Sequence, residues 1–246
     1  MLKHLRAFFS VGVVCILFAG CIEITETVQL KKDGTGNYGI KIDMGKLLED
    51  PMMKSMLEGS EKKNDMENID SMVYFKNLPD SAIKDNPELW SRAKMHVVTK
   101  TKDKTFFVEV DFNFKNLDEI AYFSANYNKV MDASKANPLA SAAAEGEGPK
   151  QPDFLANGLS YRLKGKTLER MSTASPDVKE PEGEELEMMK SFLSNAVYKL
   201  ELQLPGKVVN STFPNSKIDG SKVSSQVTFV ELMEKKRDVN GKVKFK

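Results

Sequence analysis

Thr105 to Lys115 reads TFFVEVDFNFK. Phe106, Val108, Val110, Phe112 and Phe114 fall on one side of an extended chain. Phe107, Glu109, Asp111, Asn113 and Lys115 fall on the other. A period of two over this length specifies a strand with one dry and one wet face. That is the habit of antiparallel sheets, whose outer face meets water. The same alternation recurs along the chain. Ile22, Ile24, Val28 and Leu30 interleave with Glu23, Thr25, Thr27 and Gln29. Tyr38, Ile40 and Ile42 follow a turn around Asp33-Gly34, which makes a hairpin. Tyr198, Leu200, Leu202 and Leu204 form another set, and Lys222 to Val230 alternates through Val223, Ser225, Val227 and Phe229.

Helical spacing interrupts these strands. Asn116 and Glu119 make a capping box, and Leu117, Ile120, Phe123, Tyr127 and Val130 follow at intervals of three and four. Met44 to Ser60 and Glu184 to Ala196 are also expected as helices, the first with Asp50-Pro51 as a start signal. Ala93 to Thr101 pairs with the phenylalanine strand through KTKDKT, and Phe154 to Met171 is a hairpin turning at Lys164-Gly165-Lys166. A short helix or turn is expected near Ile69. Asn240-Gly241 carries a two-residue hairpin signal between EKKRDV and KVKF. Strands with helices inserted between them, and no regular β-α-β alternation, indicate an α+β fold. We expect a mostly antiparallel sheet with flanking helices, strands from both ends of the chain sharing it. The domain spans 21–232, with exposed or disordered inserts at 132–153 and 173–185. Residues 233–246 make a basic tail or short hairpin.

The first twenty residues do not belong to this pattern. Lys3, His4 and Arg6 precede fourteen mostly apolar residues, Ala7 to Gly20. That run is shorter than the roughly 20 residues a spanning helix needs and matches the core of a secretory leader. Leu17-Phe18-Ala19-Gly20-Cys21 then resembles a lipobox, in which the chain is cut before the cysteine and the sulfur takes a diacylglycerol. Two other readings of the stretch are a buried N-terminal helix and an ordinary cut after a small residue. Cys15 leaves with the leader and Cys21 is alkylated, so the mature body has neither thiol nor disulfide and depends on a packed core. Two acyl chains give stable anchoring with no spanning helix. The formal charge of +1 becomes −1 without Lys3 and Arg6, which argues against a nucleic-acid partner.

Two stretches carry a family resemblance. YKLELQLPGKVVNSTFPNSKIDGSKVSSQVTF, Tyr198 to Phe229, resembles the signature of LppM-type bacterial lipoproteins: a strand ending in Leu-Pro-Gly, a polar link, Asp-Gly and a closing strand. CIEITETVQLKKDGTGNYGIKI resembles the start of the same family. The resemblance implies an exported, lipid-anchored α+β domain that handles or senses lipid, with no accepted catalytic residues. Phe229 stands where a Trp is common there, and the long inserts and the absence of a C-terminal spanning segment are further departures.

Candidate chemistry is sparse. Gly34, Gly36 and Gly39 have the GxGxxG spacing, but a strand follows them where a phosphate cradle needs a helix. We therefore expect glycines that permit positive φ in a hairpin. His96 is the only histidine after processing and reads as a solvated strand residue; it lacks the partners that triad or zinc chemistry needs. No calcium loop occurs. Glu109 and Asp111 share a polar face, which keeps a carboxylate hydrolase open. Six of the thirteen methionines lie between Met44 and Met72. Met52, Met53 and Met56, with Phe107, are the candidates for a pliable apolar groove; the alternative is core filling under a helix.

The expected function is non-catalytic. It is binding of a lipid, a hydrophobic ligand or a protein at the membrane, through acylated Cys21 and without a cofactor. An assembly subunit with no small ligand is the second reading and a hydrolase the third. Ile22, in place of the Asp that retains many lipoproteins at the inner membrane, points to the outer membrane of a bacterial envelope.

Overall fold

A computed structural model describes residues 22–49, 68–134, 158–172, 183, 190, 193–234 and 236–246. The fold is α+β. Among the described residues twelve strands form two sheets: β1 (Glu23–Leu30), β2 (Gly36–Asp43), β3 (Asn68–Tyr74), β4 (Ala93–Lys100), β5 (Thr105–Phe114), β6 (Ser160–Lys164), β7 (Thr167–Met171), β8 (Val197–Gln203), β9 (Val208–Ser211), β10 (Lys217–Asp219), β11 (Lys222–Thr228) and β12 (Gly241–Phe245). The larger sheet has the order β10-β11-β8-β1-β2-β5-β4-β3, and the smaller β6-β7-β12-β9. Every pair is antiparallel except β1 with β8, where Glu23 lies beside Val197. The two stretches that resemble the lipoprotein family supply β10-β11-β8-β1-β2, five adjoining strands of the large sheet.

The alternation read from the sequence decides which face is covered. Val108, Val110, Phe112 and Phe114 are buried on the inner face of β5, and Ile24 and Val28 on that of β1. Over the β2-β5-β4 half lies the long helix Asp118–Ser134, which buries Ile120, Phe123, Val130 and Met131. Phe123 stacks on Phe112 at 4.6 Å between centroids and tilts against Trp90 at 4.9 Å. Two short helices, Asp80–Ile83 and Pro87–Trp90, bring Ile83, Leu89 and Trp90 into this aromatic group. The small sheet covers the β1–β8 half, with Leu168 and Val243 fully buried. Both halves belong to one continuous apolar cluster. Half of the expected capping box forms: the Glu119 amide donates to Asn116 Oδ1 (3.3 Å), but the Glu119 carboxylate does not take the Asn116 amide in return. The Glu119 carboxylate accepts from the Lys115 amide (2.7 Å) and both Arg92 terminal nitrogens.

Several expectations need correction. Residues 68–74 form a strand, not a short helix or turn: Ile69, Ser71 and Val73 alternate with Asp70, Met72 and Tyr74, and β4 supplies a partner edge. Only Gly34 of the three spaced glycines has positive φ (85°). Gly36 and Gly39 are strand residues where a Cβ would strike the Gln29 carbonyl and Phe114 ring, or Thr27; close strand approach, not turn geometry, explains them. β11 stops at Thr228, which caps the helix Phe229–Met233 in a capping box with Glu231. Asn240-Gly241 turns no hairpin. Gly241 opens β12, which inserts between β7 and β9, and Gly241 packs against the Phe213 ring where a side chain has no room. The chain's first strand and its last therefore lie in different sheets. The hairpin at Gly165-Lys166 forms as read. The long helix continues through Ser134, into the start of the expected insert. Gly45–Glu49 is a 3-10 turn; the remainder of the expected Met44–Ser60 helix, most of the Glu184–Ala196 helix and most of both inserts lie outside the described residues. Among the described residues no helix is long and apolar enough to cross a membrane.

Candidate functional site

Among the described residues, buried charge is found where the two sheets meet. Glu26 sits on the inner face of β1, in phase with Ile24 and Val28, and is fully buried. Arg170, in phase with Leu168 on β7, reaches it from the opposite sheet and is 1% exposed. Arg170 Nε and Nη2 donate to Glu26 Oε2 at 3.0 and 2.7 Å. The Tyr161 hydroxyl of β6 donates to Oε1 at 2.6 Å, and the Tyr198 hydroxyl of β8 donates to Oε2. The remaining Arg170 nitrogen donates to Ser172 Oγ (3.3 Å) and the Val239 carbonyl (3.2 Å). A carboxylate only accepts and a guanidinium only donates, so the two phenols complete the set. Burial first, and the Glu26 charge with it, pushes the Tyr161, Tyr198 and Tyr38 hydroxyls above the ordinary phenol range. Tyr38, from β2, brings a fifth polar group whose buried hydroxyl has no partner among the described residues. All five Arg170 N–H groups thus have acceptors among the described residues, and the cluster joins the two sheets.

Among the described residues nothing covers the outer face of the large sheet. It carries a groove of about 600 Å³, bordered by Thr27 and Gln29, Glu201 and Gln203, Asp219 and Lys222. Hydroxyl, amide and charged side chains line it together with Val28, Leu202 and Val223, so it presents polar and apolar surface alike. The residues come from β1, β8 and the β10–β11 hairpin, which are remote in sequence. Each is an ordinary position of its strand, so the sequence gives no signal for the groove.

Phe107 lies on this outer face, away from the aromatic core. Lys41 Nζ stands 4.4 Å from its ring centroid and His96 meets it edge-on at 5.3 Å. It is a half-buried platform for cations. Met52, Met53, Met56 and Cys21 lie outside the described residues. His96 Nε2 is 2.8 Å from Asp70 Oδ1, and Lys100 engages the same carboxylate at 3.0 Å. Asp111 pairs with Lys94 at 3.5 Å, and Glu109 lies in register with Lys41 and His96. Glu109 and Asp111 thus lie beside lysines on the outer face of the large sheet. Among the described residues no three His, Cys, Asp or Glu converge as a metal site.

No family model matches this chain, and no curated protein matches it. Among solved structures it is similar to the NMR structure of the folded domain of Mycobacterium tuberculosis LppM, with 12% identity, 94% of each chain covered and a TM-score of 0.41.

Proposed function

We propose that this chain is a bacterial envelope lipoprotein, anchored through acylated Cys21, that works by binding and not by catalysis. One observation carries the reading: the lipobox cysteine is followed after a single residue by the first strand, β1, in the middle of the large sheet. The apolar leader therefore ends where the folded body begins, with no linker between. The buried Glu26–Arg170 pair, which joins the sheets, and the open groove with its mixed polar and apolar lining support a binding role over a reaction. The ligand class that fits the groove is a polar headgroup or a protein segment. Ile22 after the cysteine favours the outer membrane.

Mass spectrometry of the full-length protein extracted from membranes tests this. The expected mass lacks residues 1–20 and gains a diacylglyceryl group at Cys21, and a Cys21→Ser form leaves the membrane fraction. A Cys21→Ser form that stays membrane-bound contradicts the anchor. Copurified lipid or protein identifies the occupant.

A further inference from the structure

If the anchor is as proposed above, the register of the large sheet fixes which end of the body meets the lipid. Ile22 is held to the sheet by its carbonyl, which accepts from the Val197 amide (3.0 Å). One peptide unit, about 3.8 Å between Cα atoms, separates it from Cys21. Glu23 pairs with Asp43, Asp43 with Phe107, and Phe107 with Val98. The β4–β5 hairpin continues beyond that level, through the Lys100–Thr105 pair to the turn Thr101–Lys104. It thus projects past Ile22 towards the anchor. Two strand spacings separate β1 from β5, about 10 Å in all. Lys102, Asp103 and Lys104 on the turn are exposed, as is Lys46 on the neighbouring 3-10 turn, with Lys104 also paired to Glu49 at 2.6 Å.

We propose that this end of the sheet is a membrane-docking surface and that the Thr101–Lys104 turn, with Lys46, rests on anionic phospholipid headgroups. A tether this short leaves the body little room to turn over, and ammonium groups at the tip are attracted by lipid phosphate. The groove beside Gln29, Gln203 and Lys222 lies at the opposite end of the same strands. Docking therefore points it away from the bilayer, towards whatever the compartment offers.

The proposal rests on acylation of Cys21, and its test separates the two. The acylated mature chain, carrying a fluorophore at Asp103→Cys or at Lys32→Cys, is reconstituted into vesicles containing headgroup-nitroxide lipid. Residue 32 sits on the β1–β2 turn at the far end. In anionic vesicles the probe at 103 is expected to be quenched several-fold more than that at 32, and the difference shrinks when zwitterionic lipid replaces anionic. Equal quenching on vesicles that carry the floated protein overturns docking alone, as does quenching at 103 that ignores lipid charge. A chain that fails to float, or whose mass lacks the diacylglyceryl group, overturns the anchor and docking together.

Discussion

Glu26 is the residue on which the junction between sheets turns. Desolvating two charges costs several kcal/mol each, repaid only while the geometry is complete. Removing one member strands the other in the interior. Arg170→Met is therefore expected to lower stability by about 3–5 kcal/mol, read as a lower urea midpoint. Pairing it with Glu26→Leu should restore part of that loss, and adding Tyr161→Phe and Tyr198→Phe should restore more. Losses that simply add across the four substitutions would show that the cluster is not a unit. The signal for it was present in the sequence. Glu26 occupies the gap in the inward set Ile24, Val28, and Arg170 shares the phase of Leu168. Two opposite charges in core phase predict each other, but nothing in either strand's own pattern says that they meet.

At the scale of elements, pattern and partner separate. β1, β5 and β8 are legible because buried and wetter positions alternate along them, and β2, β4 and the β6–β7 hairpin because a turn joins each to a readable partner. β3 was not, because its alternate positions mix Asp70 with Met72 and Tyr74. β9 and β10 are too short to show a period. β12 is visible as KVKF, but the turn propensity at Asn240-Gly241 points to the wrong neighbour, since the strand fills a slot between β7 and β9. Asn240 is spent elsewhere, its side-chain oxygen accepting from the Ser172 amide at 2.6 Å. The slot has an energetic consequence. Val243 is fully buried and Phe245 nearly so, and a buried phenylalanine alone is worth about 3–5 kcal/mol. A chain ending at Asn240 leaves β7 and β9 unpaired on facing sides. We expect it to lose at least about 5 kcal/mol by urea denaturation and to become cleavable by protease within β6–β7. An unchanged midpoint would mean that β12 is an accessory strand.

For the whole molecule, the tyrosines couple ionisation to folding. Tyr38, Tyr161 and Tyr198 sit between the sheets, with their hydroxyls held above the usual value near 10. Raised folded values mean that their stabilising contribution is complete below pH 10 and is lost as pH climbs towards them, because only the unfolded chain releases the protons. Three such groups give a slope of about 4 kcal/mol per pH unit above 10. Absorbance of tyrosinate and loss of near-ultraviolet dichroism should then coincide in an alkaline titration. Ionisation of these residues with the fold intact would refute the sealed junction. The α+β class was readable from the sequence because the count and spacing of strands fix it, while the division into two sheets was not, since it depends on which edges meet. The parallel contact of β1 with β8 also bears on how the protein is made. Glu23 waits for Val197, which a ribosome adding 5–20 residues per second delivers roughly 10–35 s later. Until then the central strand has one flank bare. A nascent chain of this topology can pair β1-β2-β5-β4-β3 early but completes its large sheet only once β8 has been made.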